Sequence, residues 1–197
     1  MISVVIPTLD SERLLVPTLS ALVAGSAAGL VREVVLADGG SRDDTEKIAD
    51  EAGCEFLPGP AGEGERLAAA AAAARGDWLL FLDPGAVVDE SWPREVAAFM
   101  GSAERTGNAM KRAAGFRLSI DGHGLSPRLA EAAAALRFAA FGLPRPDQGL
   151  LIAKRFYRSL GGHAAGPHPR RRLLGKIGRG GIVTLRTRII LPAEGSA

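Results

Sequence analysis

Three aspartates, Asp10, Asp38 and Asp83, each follow closely on a short apolar run, where a carboxylate can accept ligand hydrogen bonds or bind a hard cation. Asp83 is the sharpest case. Trp78 to Leu82 are uninterrupted apolar residues, as in a parallel strand covered on both faces, and Pro84-Gly85 stops that strand just past the acid. In an open α/β sheet the residues past the carboxyl ends of the strands line the ligand crevice. The competing reading is that such aspartates simply begin turns and cap helices. Other chemistries find less support. The Gly59-Pro60-Ala61-Gly62-Glu63-Gly64 stretch has neither the dinucleotide spacing nor the Lys-Ser/Thr of a phosphate loop, and Glu63 and Glu65 repel phosphate. His123, His163 and His168 lack metal-ligand spacing, and no serine sits in a nucleophile elbow.

The elements that must position these acids alternate. Ile2 to Ile6 reads as a strand ended by Pro7-Thr8, and Asp10-Ser11 caps a helix with apolar Leu14, Leu15, Leu19 and Leu22. Val31 to Ala37 is a second strand, followed by the tight loop Asp38-Gly39-Gly40-Ser41 and a helix opened by Asp43, Asp44 and Thr45. Cys54 to Leu57 is a short strand, and Glu65 to Arg75, with seven consecutive alanines, a strong helix former. Such alternation predicts parallel strands joined by right-handed crossovers, which puts Asp10, Asp38 and Asp83 on one sheet edge. Further on, the pattern predicts helices at Ser91–Arg105, Ser126–Phe141 and Arg170–Ile177. Strands are expected at Gly115–Ile120, Leu150–Ala153, near Ile182–Leu185 and at Arg188–Leu191.

With 197 residues, 47% of them hydrophobic, the chain suits a single domain with a substantial core. A formal charge of +2 argues against a nucleic-acid partner. The charge is unevenly spread, however: from Gln148 to Ala193 there is no acid but there are ten lysines and arginines, among them Arg170, Arg171 and Arg172. This basic region offers a peripheral contact with an anionic membrane surface, or with phosphates. The single Cys54 excludes an internal disulfide framework, and Met1 leads directly into a strand, so a cytoplasmic protein, peripheral at most to the inner membrane face, is expected.

Three stretches, Val4-Val5-Ile6-Pro7-Thr8-Leu9-Asp10, Ala37-Asp38-Gly39-Gly40-Ser41-Arg42-Asp43-Asp44-Thr45 and Ala74-Arg75-Gly76-Asp77-Trp78-Leu79-Leu80-Phe81-Leu82-Asp83, resemble in order and spacing the family 2 glycosyltransferases. Gly115-Phe116-Arg117-Leu118 and Asp147-Gln148-Gly149-Leu150 are similar to the small bacterial branch associated with radical-SAM and selenium-related genes. The resemblance covers roughly residues 2 to 162. It implies a GT-A (Rossmann-like) three-layer α/β fold with a mainly parallel central sheet, acting on a nucleotide-diphosphate sugar, of uridine type, and an unknown acceptor. Pro7, Thr8, Asp10 and Asp38 would line the nucleotide pocket, with Asp38 accepting the ring N–H of the base. Asp83 would help hold a divalent metal, Mg or Mn, on the donor diphosphate.

The chain departs from that pattern at the chemistry. Gly85 stands where the metal motif carries its second aspartate, and Arg170 and Arg171 stand where the family carries a Glu-Asp pair supplying the general base. A guanidinium stays protonated and abstracts no proton. Asp147 is then the candidate base or acceptor contact. Gln148, Arg170, Arg171 and Arg172 are candidates for the diphosphate or acceptor, with the arginines replacing the metal's charge. The alternative is a catalytically impaired pseudo-glycosyltransferase that binds a nucleotide or a partner protein.

Overall fold

The computed structural model describes residues 1–120, 145–178 and 180–192. The helix expected at 126–141 lies outside them. Eight strands form one sheet in the order β3-β2-β1-β4-β7-β6-β8-β5. Its first half is the alternating unit expected from the sequence: β1 (Ile2–Thr8), α1 (Glu12–Ala27), β2 (Val31–Asp38), α2 (Thr45–Glu51), β3 (Glu55–Pro58), α3 (Glu63–Ala73) and β4 (Trp78–Phe81). β1 pairs in parallel with β2 and β4, and β2 with β3. β1 and β4 are buried along their whole length, as continuous apolar runs in a covered parallel sheet must be.

β1 runs through Pro7 and Thr8 instead of ending before them. Its pairing with β4 stops at Val5, so at Pro7 the strand has a neighbour only on the β2 side. The missing proline N–H therefore leaves no gap on the β4 side.

The second half of the sheet is mixed. After the two-residue β5 (Val87–Val88) come α4 (Trp92–Arg105), a short 3₁₀ turn, β6 (Ala113–Ile120), β7 (Leu150–Ala153), α5 (Lys154–Ser159), α6 (Pro169–Ile177) and β8 (Ile182–Leu191). β7 runs antiparallel to both β4 and β6, while β6 and β8 are parallel. The two strands expected at 182–185 and 188–191 are one strand with an irregularity in register between them. There the Glu95 carboxylate accepts both the Thr187 N–H and its hydroxyl, at 2.8 and 2.9 Å, holding the displaced backbone.

The core lies on both faces of β1, β4 and β7, and α1 closes one side through Leu15 and Leu22. Trp92, fully buried at the start of α4, stacks where α1 carries Gly25: a β-carbon there would lie 2.2 Å from the indole. α3 packs on β1 and β2, and the first turn of α6 packs on α3. This last contact builds the site.

Candidate functional site

The carboxyl ends of β1, β2 and β4 lie side by side, with Thr8 paired to Asp38 in register and Asp83 two residues past Phe81. The parallel order brings the three strand-end acids to one edge. Their environments there differ.

Asp38 is buried, and its carboxylate is filled by donors: the Thr8 hydroxyl at 2.9 Å, the Gly40 and Ser41 N–H groups at 2.8 Å each, and the Ser41 hydroxyl. Against the upward push of burial, the donors from Ser41, Gly40 and Thr8 hold this carboxyl below the usual aspartate range. Asp10 is exposed, in the left-handed region with φ of 47°, and accepts the Arg42 N–H at 2.8 Å while its own N–H reaches the Ser41 hydroxyl. Asp43 accepts the Glu12 N–H and Glu12 in turn accepts the Asp44 N–H, so the loops after β1 and β2 are fastened reciprocally. The Gly-Gly-Ser turn is thus a rigid rim around Thr8 and Asp38.

Over this rim lies a residue that sequence reasoning passed over. Arg66 is 9% exposed, its Nη1–H donates to the Ala61 carbonyl at 2.7 Å, and its Nε has no partner. A β-carbon on Gly39 would come within 3.1 Å of Nη1, so the guanidinium lies directly on the turn that follows Asp38. A buried guanidinium with one N–H left without a protein partner is uncommon. The signal was present: Arg66, Leu67, Ala70 and Ala71 share the buried face of α3 at helical spacing, a face where arginine needs a reason.

Asp83 is held by an ion pair. Arg170, in the first turn of α6, places Nη1 on the Asp83 carboxylate and Nη2 on Glu63, at the start of α3. Burial drives the Asp83 carboxyl above its ordinary range; Arg170 opposes that push, and the nearby charges of Asp147 and Glu63 add to it. The contact depends on Gly64, where a β-carbon would strike the Ala164 carbonyl at 2.1 Å and Pro169 at 2.9 Å. Part of the glycine-rich stretch discounted as a phosphate loop thus serves helix-to-loop approach. The remaining arginines of that run face elsewhere: Arg171 is exposed and Arg172 donates to the Ala165 carbonyl.

Pro7, Phe81, Asp83, His163, Arg170 and Leu174 line a narrow cleft of about 20 Å³, room for about one water molecule. His163 is buried there; its Nδ1 lies 2.9 Å from the Tyr157 hydroxyl, which accepts the His163 backbone N–H at 3.0 Å. Burial, reinforced by the Arg170 charge, brings the imidazole down to about 3, so the ring is neutral. Asp147 is gripped by both arms of the Arg145 fork, at 3.1 and 2.6 Å. Gln148 is buried and spent on backbone, accepting the Arg145 N–H and donating to the Phe116 carbonyl, so it braces its loop.

A cation at Asp83 finds few ligands. Gly85 has no carboxylate, its φ is 84°, and a β-carbon there would lie 3.1 Å from Pro192 and 3.3 Å from Leu14. Among the described residues no three His, Cys, Asp or Glu side chains converge as a metal would require. The described residues do not fit a divalent ion at Asp83.

The mixed α/β sheet, with its parallel first half, has the GT-A fold, and solved structures share it. S. aureus TarS 1–349 in complex with UDP superposes with a TM-score of 0.70 at 16% identity, covering 98% of this chain and 60% of that one. M. tuberculosis glucosyl-3-phosphoglycerate synthase in complex with Mn2+ and UDP-glucose gives 0.67 at 22% identity, covering 100% and 72%. The glycosyl transferase family 2 model matches residues 3–132, and the chain belongs to that family. Glucosyl-3-phosphoglycerate synthase of Mycolicibacterium paratuberculosis is 39% identical over 94 residues, which is 42% of this chain and 27% of that protein. The chain therefore spans about a quarter of that curated relative's length. Among the described residues no helix is long and apolar enough to cross a membrane. Among the described basic residues of the last third, Arg170 turns inward, Lys176 donates to the Leu160 carbonyl, and Arg186 lies beside Glu95.

Proposed function

We propose that the chain transfers a sugar from a uridine-diphosphate sugar to a hydroxyl acceptor. The observation that carries this reading is the rim of Thr8, Asp38 and Arg66: a carboxylate held ionised by fixed donors and, over the adjoining turn, a buried guanidinium with an unused N–H. For a uracil, the imide N–H would take the place of the Ser41 hydroxyl on Asp38, and the Arg66 guanidinium would turn to meet a ring carbonyl. Pro7 and Asp10 would frame the base and ribose, and Asp83 lies further along the edge, toward the diphosphate. The M. tuberculosis neighbour was solved with UDP-glucose and a TarS structure with UDP-GlcNAc, which supports the donor class.

In the transfer the acceptor oxygen forms a bond to the anomeric carbon, the bond from that carbon to the diphosphate oxygen breaks, and its electron pair leaves with UDP. The acceptor proton passes to a carboxylate, for which Asp147 in the Arg145 fork is our candidate. Bracing by Arg145 fixes one orientation of that carboxylate, as a base needs.

The test is calorimetric titration with UDP, ADP and GDP, followed by an assay of UDP-sugar hydrolysis. UDP should bind at least about tenfold more tightly than the purine nucleotides, the difference one charge-assisted hydrogen bond supplies. Equal affinities would reject the base pocket. Selective binding without turnover would leave a nucleotide-binding protein and reject the transferase.

A further inference from the structure

We infer that Arg170 is the resident cation of the donor site: its guanidinium, anchored on Asp83 and Glu63, takes the diphosphate charge that a divalent metal would otherwise take. The inference rests on the nucleotide-sugar reading above and concerns how this chain departs from metal use.

The sequence alone offered three arginines for such a role, and the fold selects one. Arg170 is the one of the three that lines the cleft with Pro7 and Asp83, while Arg171 is exposed and Arg172 is turned onto the Ala165 carbonyl. A guanidinium has five N–H donors. Asp83 and Glu63 each engage one of its terminal nitrogens, which fixes the plane of the fork and leaves further N–H groups for phosphate oxygens.

The local charge permits an anion. Asp83, Glu63 and Asp147 carry three negative charges against two on Arg170 and Arg145. Glu63 begins α3 and Arg170 stands in the first turn of α6, so two helix N-termini meet at these acids. Each contributes about half a positive charge, which brings the cluster close to neutral before the guanidinium meets its ligand. A metal would instead have to displace Arg170 from Asp83, and Gly85 offers no second carboxylate to receive it.

The experiment uses the full chain and four probes: uridine, UDP, inorganic pyrophosphate and Mn2+. Isothermal titrations with UDP are run in manganese and in chelator, for the wild type, Arg170→Gln and Arg170→Lys. The wild type should bind UDP within about twofold in the two conditions. Arg170→Gln should weaken UDP and pyrophosphate at least about tenfold while leaving uridine within about twofold, because only the phosphates lose a charge-assisted bond. Arg170→Lys, which keeps a charge for the two acids but loses the fork, should fall between and serves if the glutamine variant does not fold. Tightening of wild-type UDP binding by tenfold or more with Mn2+, or unchanged UDP binding in both variants, would overturn the inference. Arg170-dependent pyrophosphate binding without any uridine binding would reject the base pocket and keep the arginine.

Discussion

Thr8 and Asp38 stand opposite each other at the ends of neighbouring parallel strands, and the Thr8 hydroxyl donates to the Asp38 carboxylate over 2.9 Å. The acid is therefore oriented by the sheet before any ligand arrives. Asp38→Ala should destabilise the fold by about 2–4 kcal/mol, since the buried donors of Thr8, Gly40 and Ser41 lose their charged acceptor together. Thr8→Val should be milder, at about 1–2 kcal/mol. Urea unfolding at neutral pH measures both. Because the folded carboxyl lies below its unfolded value, its contribution is present above about pH 4 and is lost as pH falls through the folded value. An Asp38→Ala difference that persists undiminished at pH 2 would contradict this.

His163 should make the protein acid-sensitive well above the carboxylate range. Its imidazole is brought from 6.5 down to about 3 by burial, reinforced by the Arg170 charge. The unfolded chain therefore binds one more proton than the folded one between those values, so stability is full above about pH 6.5 and falls on acidification. The slope should approach about 1.4 kcal/mol per pH unit. His163→Gln should remove that slope between pH 6 and about pH 4.5 in urea titrations. An imidazole that titrates near 6.5 by NMR in the folded protein would show that the ring is not held neutral.

Arg66 should separate binding from stability. Arg66→Met preserves much of the buried aliphatic volume and removes the unpartnered Nε, so the fold should lose no more than about 1 kcal/mol and can gain. UDP affinity should fall at least about tenfold, as for loss of a bond to a charged group. Parallel thermal melts and calorimetric titrations read the two effects. Loss of stability with unchanged affinity would make Arg66 a structural residue.

Gly85→Asp should fail to create a metal site. At φ of 84° a side chain is strained by about 1–2 kcal/mol, and its β-carbon would press on Pro192 and Leu14 at 3.1 and 3.3 Å. The variant should melt lower than the wild type and show no new stabilisation by Mn2+ in thermal shift measurements. A manganese-dependent rise in its melting temperature would show that one carboxylate is all the site lacks.

The strand ends were legible in the sequence because they depend on local rules. Continuous apolar runs such as Val4-Val5-Ile6 and Trp78 to Leu82 belong in a strand covered on both faces, and alternation with helices sends β1, β2 and β4 the same way, whereas the antiparallel β7 beside β4 was not foreseen. That reasoning placed Asp10, Asp38 and Asp83 on one edge, and the Asp-Gly-Gly-Ser turn marked the family to which the matching model assigns the chain. The parallel half also follows from short crossovers, whose geometry is set within each βα unit.

Only the tertiary structure decided what each acid does there. Whether Asp83 faces a cation or a guanidinium depends on α6, far along the chain, and on Gly64 admitting that helix against α3. Nothing local in Pro169-Arg170-Arg171-Arg172 distinguishes the arginine that turns inward from its neighbours, because helix phase acquires meaning only once a face is packed. Asp38 likewise changes from an open ligand group to one enclosed by four donors when the Ser41 turn closes, a loop geometry outside any periodicity. The neutrality of His163 comes from burial among Tyr157, Phe81 and Arg170, and burial is a property of the assembled core.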